Sequence, residues 1–363
     1  MNPLMNLDRI GQSLWLESVT RESLNNGLFK QYIEEKVISG LSISAFAYKD
    51  ALRQSTVYDP AIRRKLKDGL FSDSLARELV LTDTRHAADL LRPVFDRTDG
   101  VDGWSVLTIS SLLTSDPSSL MAEAVALYAK IQRPNVLITI PGLPEYLRTI
   151  EELIFTGIPI NVSMLFSQKQ YTEAFEAYLT GIERRISAGL KSNVGCFASI
   201  PISHLSAALS LELQDEMVMP GVVAVATSIY KISRVLHTSQ RWERASNRGA
   251  RSLRLMWVMS DGPVCNLQDT KYMDYLTAPC TVAAMPEKAL QMFVEKGNPG
   301  APISLDGGDC TIVLSRCLEA GADINDLADR LQKNESHMQI KAWIELLEAV
   351  AHKSAVLTEP IKS

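Results

Sequence analysis

The sequence is poor in the features that announce most metal, redox and polyanion chemistry. Its five cysteines, Cys196, Cys265, Cys280, Cys310 and Cys317, are odd in number and scattered. None forms a Cys-x-x-Cys pair, so neither a zinc site nor a disulfide framework is expected, and the thiols read as reduced in a cytoplasmic setting. The longest basic run is Arg63-Arg64-Lys65, and 37 basic residues stand against 42 acidic ones for a net charge of −5. A basic stripe that could follow phosphates is missing, which excludes nucleic acid as an expected partner. The opening MNPLMNLDRI lacks the basic-then-apolar form of a signal peptide. The most apolar stretch, 217–229, is interrupted by Pro220 and Gly221 and is too short to span a bilayer, so no membrane partner is expected. With no ligand cluster visible, no metal and no cofactor is expected. The turn Asp306-Gly307-Gly308-Asp309 has no partner ligands that would make it a calcium loop.

What the chain does have is alternation. Over 363 residues, 46% hydrophobic and 22% charged, short apolar segments take turns with longer segments of helical period. The strand candidates are 14–17, 38–42, 105–109, 136–140, 160–165, 195–200, 254–259 and 281–284, each bounded by Gly, Pro or polar residues. Between them, SLMAEAVALYAKI (119–131) and QKQYTEAFEAYLTGIERRISA (168–188) place apolar residues on one helical face. Eight strands in this pattern predict a parallel sheet closed as a (β/α)8 TIM barrel. An open doubly wound sheet would call for a Gly-rich turn after the first strand, and none is there. The region before residue 14, the stretch 49–101 and the tail after 311 read as additional helices packed on the barrel. A single domain over 1–350 is expected, with a frayed tail at 351–363.

At RPNVLITIP (133–141) the sequence resembles the fourth-strand segment of bacterial transaldolases, especially the longer actinobacterial and cyanobacterial type. The likeness runs from about Ser13 to about Leu347. It includes SLWLESVTRESL, DGVDG before the third strand, GIPINVSMLFS, YLTGIERR, RLMWV and TVAAMPEK, all in the same order. The resemblance implies a shared barrel and, at strand four, a lysine that forms a Schiff base with a ketose donor. Thr139 occupies that position. Other positions implied by the resemblance also differ. Glu17 stands for an aspartate, Ser44 for an asparagine, Thr108 for a glutamate, His204 for a phosphate-binding arginine, and Pro263 or a neighbour for a basic residue. Asn161 and Ser199 are kept, and Ser163 replaces a threonine.

Magnitudes guide what to expect from such a set. A charge-assisted hydrogen bond to phosphate is worth roughly 1.5–3 kcal/mol, and a general acid or base about 10²–10⁴-fold in rate. A hydroxyl cannot form an imine. Strand alternation, anchored on the family match, points Thr108, Thr139, Asn161, Ser163, Ser199, Trp257 and Met259 into the barrel. Such a mouth suggests an uncharged, partly apolar small-molecule ligand. Glu17, with Asp261 or His204, is the candidate for proton transfer, its carboxyl raised by an apolar cavity.

Each candidate also has a structural reading. Glu17 can bond loop amides, His204 can begin a helix, Asp261 precedes Gly262-Pro263 as a turn residue would, and Trp257 and Met259 can fill a core. The sequence therefore leads to an expectation of a divergent enzyme working without a Schiff base (an isomerase, cyclase or lyase, of the kind found in specialised metabolism). The alternatives are an inactive pseudoenzyme that binds a metabolite or protein, and residual transaldolase activity in carbohydrate metabolism. A homodimer is the default assembly.

Overall fold

A computed structural model describes residues 3–109, 112, 116–259 and 267–358 of the chain. The eight strands are β1 (Ser13–Leu16), β2 (Gly40–Ser42), β3 (Trp104–Thr108), β4 (Val136–Pro141), β5 (Ile160–Ser163), β6 (Cys196–Pro201), β7 (Leu253–Val258) and β8 (Val282–Met285). They pair in parallel in chain order, and β8 returns to β1 through Ser13↔Val282 to Leu16↔Met285, so the barrel is closed. Every strand anticipated from the sequence is present, with ends shifted by one or two residues.

Strand parity divides the side chains into two layers. One residue in two faces inward: Trp15, Trp104, Val106, Leu137, Phe197, Met256, Val258, Val282 and Ala284 form the barrel's own core. The intervening residues, such as Leu107, Ile138, Val162, Ile200 and Leu255, join the much larger layer between sheet and helices. At the floor, the rings of Trp15 and Phe197 lie 4.9 Å apart, and Trp104 and Phe197 6.0 Å. Gly40 is required here by a close approach, since a Cβ at that position would come within 2.2 Å of the Trp15 indole.

The stretch anticipated as helical before β3 forms helices Ala45–Gln54, Asp59–Lys67 and Ser72–Arg97. They are tied by a buried polar knot. Arg21 Nε donates to Asp83 Oδ1 at 2.7 Å, and Tyr48 donates to the other carboxylate oxygen. Tyr58 accepts the Arg21 backbone N–H at 2.9 Å. Removing one member of such a pair leaves a buried charge without its partner, a cost of about 3–5 kcal/mol. After β8 come helices Glu287–Lys296 and Cys310–Glu319. A single helix, Ile324–Thr358, then carries both amphipathic segments of the tail. No helix among the described residues is long and apolar enough to cross a membrane.

On the outer layer, His237 packs edge-on against Phe175 and Trp242, with ring centroids 5.0 and 4.8 Å away, and its Nδ1 sits 2.7 Å from the Ser233 carbonyl. Burial pushes its pKa down from 6.5 to about 4. Between these values the unfolded chain binds a proton that the folded protein refuses, so stability falls as pH drops through that window. The loss should approach about 3 kcal/mol near pH 4. Urea denaturation at pH 7 and pH 4.5 should show it, and His237→Gln should reduce the difference.

Candidate active site at the barrel mouth

The polar side chains anticipated from the sequence meet at the carboxyl ends of the strands, the end where barrels of this kind carry their chemistry. The register explains why. Thr108 of β3 pairs with Thr139 of β4, and Thr139 pairs with Asn161 of β5, so three inward polar residues lie side by side across three strands. Ser199, on β6, donates its hydroxyl proton to Asn161 Oδ1 at 2.7 Å. That bond fixes the amide and leaves its NH2 group as a donor. Thr108 donates to the Ile43 carbonyl at 3.1 Å, and Ser163 to that of Ile140 at 3.5 Å.

With Glu17, Ser44 and His204, these residues line one cavity of 130 Å³, floored by Val106 and Val258. Glu17 directly follows β1, and its backbone N–H donates to the Met285 carbonyl at 2.9 Å. The next residue, Ser18, has φ 64°, and Met164 after β5 has φ 61°. Two non-glycine residues are thus held in the left-handed region on opposite sides of the mouth. Each costs on the order of 1–3 kcal/mol, a kind of strain that clusters at functional sites.

Two of the anticipated residues do not take part. Trp257 and Met259 fall on the outer face of β7 and belong to the layer beneath the helices; Met256 and Val258 are the inward residues there. The pairing Ser199↔Met256 sets this phase, and a displacement of one residue in a strand reverses every side chain. Trp257 is therefore core filler, the structural reading of that residue. Asp261 and Pro263 lie outside the described residues.

The roof of the cavity was not anticipated. Glu335, Met338, Gln339 and Ala342 of the helix Ile324–Thr358 line it from above. Gln332 of the same helix is buried, and its Nε2 donates to the carbonyls of Gly142 and Met164 at 2.9 and 3.0 Å. Glu335 meets His204 Nδ1 at 2.7 Å, with both side chains largely buried. His204 thus joins the helix Ile202–Leu209 to the roof. A signal for this existed in the sequence: Gln332, Glu335, Gln339, Ala342 and Leu346 recur at helical spacing, with polar residues occupying the buried phase of the stripe. Among the described residues no three His, Cys, Asp or Glu side chains are grouped as metal ligands.

A closed (β/α)8 barrel with a polar cavity at its strand ends is the architecture of a barrel enzyme. The chain belongs to the transaldolase/fructose-6-phosphate aldolase family, whose model matches residues 14–350. Its relatives include a transaldolase of Acidothermus cellulolyticus, 30% identical over 96% of each chain. A transaldolase of Thermobifida fusca is 29% identical over 98% of this chain and 100% of its own. Transaldolase 2 of a Nostoc species is 29% identical over 79% of this chain and 80% of its own.

These similarities correct the leading expectation from the sequence. An isomerase, cyclase or lyase of specialised metabolism, and equally an inactive pseudoenzyme, gives way to the transaldolase reading. The likeness extends over nearly the whole length of proteins named for that activity.

The roof generates a prediction. Gln332→Leu would strip two buried carbonyls of their donor, each worth about 1–3 kcal/mol. We expect a loss of roughly 2–4 kcal/mol in urea denaturation. Amide exchange should quicken around 332–342 while the helix Gln168–Ser187 stays protected. Equal quickening in both helices would mean that the glutamine does not specifically hold the roof.

Proposed function

We propose that this protein carries residual transaldolase activity at the barrel mouth, cleaving and re-forming a carbon–carbon bond of a ketose. The observation that carries this reading is the similarity to transaldolases over nearly the full length of both chains. The polar set on β3 to β6 is compatible with it.

The resemblance puts Thr139 where the family has its Schiff-base lysine, and no lysine is among the described residues lining the cavity. In our reading the substrate carbonyl remains a ketone rather than an imine. The Thr139 hydroxyl and the Asn161 NH2 donate hydrogen bonds to its oxygen. Glu17 takes the proton of the hydroxyl one carbon beyond the α-carbon. That carbinol becomes an aldehyde as the bond between it and the α-carbon breaks, and the bonding pair passes into an enediolate whose oxygen the two donors stabilise. Attack of the enediolate on a second aldehyde, with return of the proton from Glu17, completes the exchange. Neutral donors stabilise developing charge less well than a cationic imine accepts electrons, so the rate should be low.

Pure protein supplied with fructose 6-phosphate and an aldehyde acceptor should give slow product formation. Borohydride should neither quench it nor add mass to the chain. Glu17→Gln should lower the rate by roughly 10²-fold or more. Thr139→Lys should raise the rate and make a borohydride-fixed adduct appear. Product formation no faster than in protein-free buffer would sink the proposal.

A further inference from the structure

A second cavity lies at the opposite end of the barrel from the mouth. It measures 570 Å³ and opens between the helix Pro3–Ile10, the end of the helix Ser72–Arg97 and the amino ends of β1, β6 and β7. Its walls are largely apolar, with Leu7, Leu14, Ile38, Val94 and Phe197 among them, and its rim carries charged side chains.

Gln12 lines this cavity and is 4% exposed. Its Nε2 donates to the Leu276 carbonyl and to Thr281 Oγ1, both at 2.9 Å, while Oε1 is buried with no partner among the described residues. The amide cannot simply turn over. Leu276 offers only an acceptor, and the Thr281 hydroxyl already gives its proton to the Ala278 carbonyl at 2.7 Å. A flip would set Gln12 Oε1 against two acceptors. The buried oxygen is thus held as an unanswered acceptor, a condition that costs about 1–3 kcal/mol until a donor arrives. Ser39 Oγ, also on the cavity wall, is buried and likewise has no partner among the described residues.

The charges at the cavity favour an anion. Arg254 is committed to Asp102 at 3.0 Å and to Ser13 at 2.9 Å, and Arg251 reaches Asp99 at 3.6 Å. Lys36 and Arg97, both exposed and both lining the cavity, have no ion pair among the described residues, and Asp8 is the one carboxylate in the lining outside such a pair. Two uncommitted cations against one carboxylate leave a net positive rim over an apolar chamber.

We infer that this basal cavity is a second binding site, for a small amphipathic anion. Its ligand has an aromatic or alkyl body, an N–H or O–H group that donates to Gln12 Oε1, and a carboxylate or sulfonate that reaches Lys36 and Arg97. The site is separate from the mouth and does not depend on the reaction assigned there.

The probe that matches this chemistry is 8-anilinonaphthalene-1-sulfonate, with its rings, anilino N–H and sulfonate. Cys280 supplies a local reporter, because it lines the cavity and is exposed, while Cys196, Cys310 and Cys317 are buried. In full-length protein carrying Cys265→Ser, the probe should bind at one per chain. At saturation it should slow alkylation of Cys280 by N-ethylmaleimide at least about fivefold, as expected where bound ligand covers most of an exposed thiol. The surface double variant Lys36→Glu/Arg97→Glu should bind about tenfold more weakly. Prior alkylation of Cys280 should weaken binding as well. Binding that leaves Cys280 unprotected, or an affinity unchanged in the double variant, would overturn the assignment.

Discussion

Closure of eight parallel strands imposes one constraint on everything else: each strand must keep the parity that its two neighbours dictate. Because side chains alternate faces along a strand, the pairing of β8 with β1 fixes the phase around the ring. The aromatic floor of Trp15, Trp104 and Phe197, the aliphatic middle, and the polar mouth of Thr108, Thr139 and Asn161 are levels of that single phase. A slip at any strand would exchange a mouth residue for one that belongs beneath a helix.

The mouth is finished by parts remote in sequence. Gln332 and Glu335, more than a hundred residues beyond the strands they cover, bring hydrogen-bonding groups to carbonyls and to His204 at the open end of the barrel. Burying polar groups there is tolerated because each finds a partner, and the same partners hold the roof in register. The strained backbone at Ser18 and Met164 sits at this junction, where neighbouring bonds determine it. Chemistry at the mouth therefore depends on the strands for direction and on the carboxy-terminal helix for enclosure.

Much of the barrel could be read from residue order, since a short apolar run of four to six residues followed by an amphipathic stretch leaves a parallel barrel as the compact solution. Most of the mouth could be read as well, because the resemblance to transaldolases anchored which polar residues at the carboxyl ends of β3 to β6 face inward. At β7 the strand itself does not mark its inward face. In RLMWV every residue after the arginine is apolar, so no polar alternation marks which face is inward, and Trp257 suits either side. Function differs again: substitutions at single positions point away from the family, whereas similarity to transaldolases extends along nearly the whole chain.

The sequence by itself determined the element order, the barrel class and the polar character of the strand ends, because local period and turn residues act over a few residues at a time. Only the tertiary structure decided which face of β7 looks inward, that the last helix roofs the mouth, and that Gln12 is left with a buried oxygen above an apolar basal chamber. Those outcomes depend on pairing between segments tens to hundreds of residues apart, and no local pattern encodes a partner at that distance.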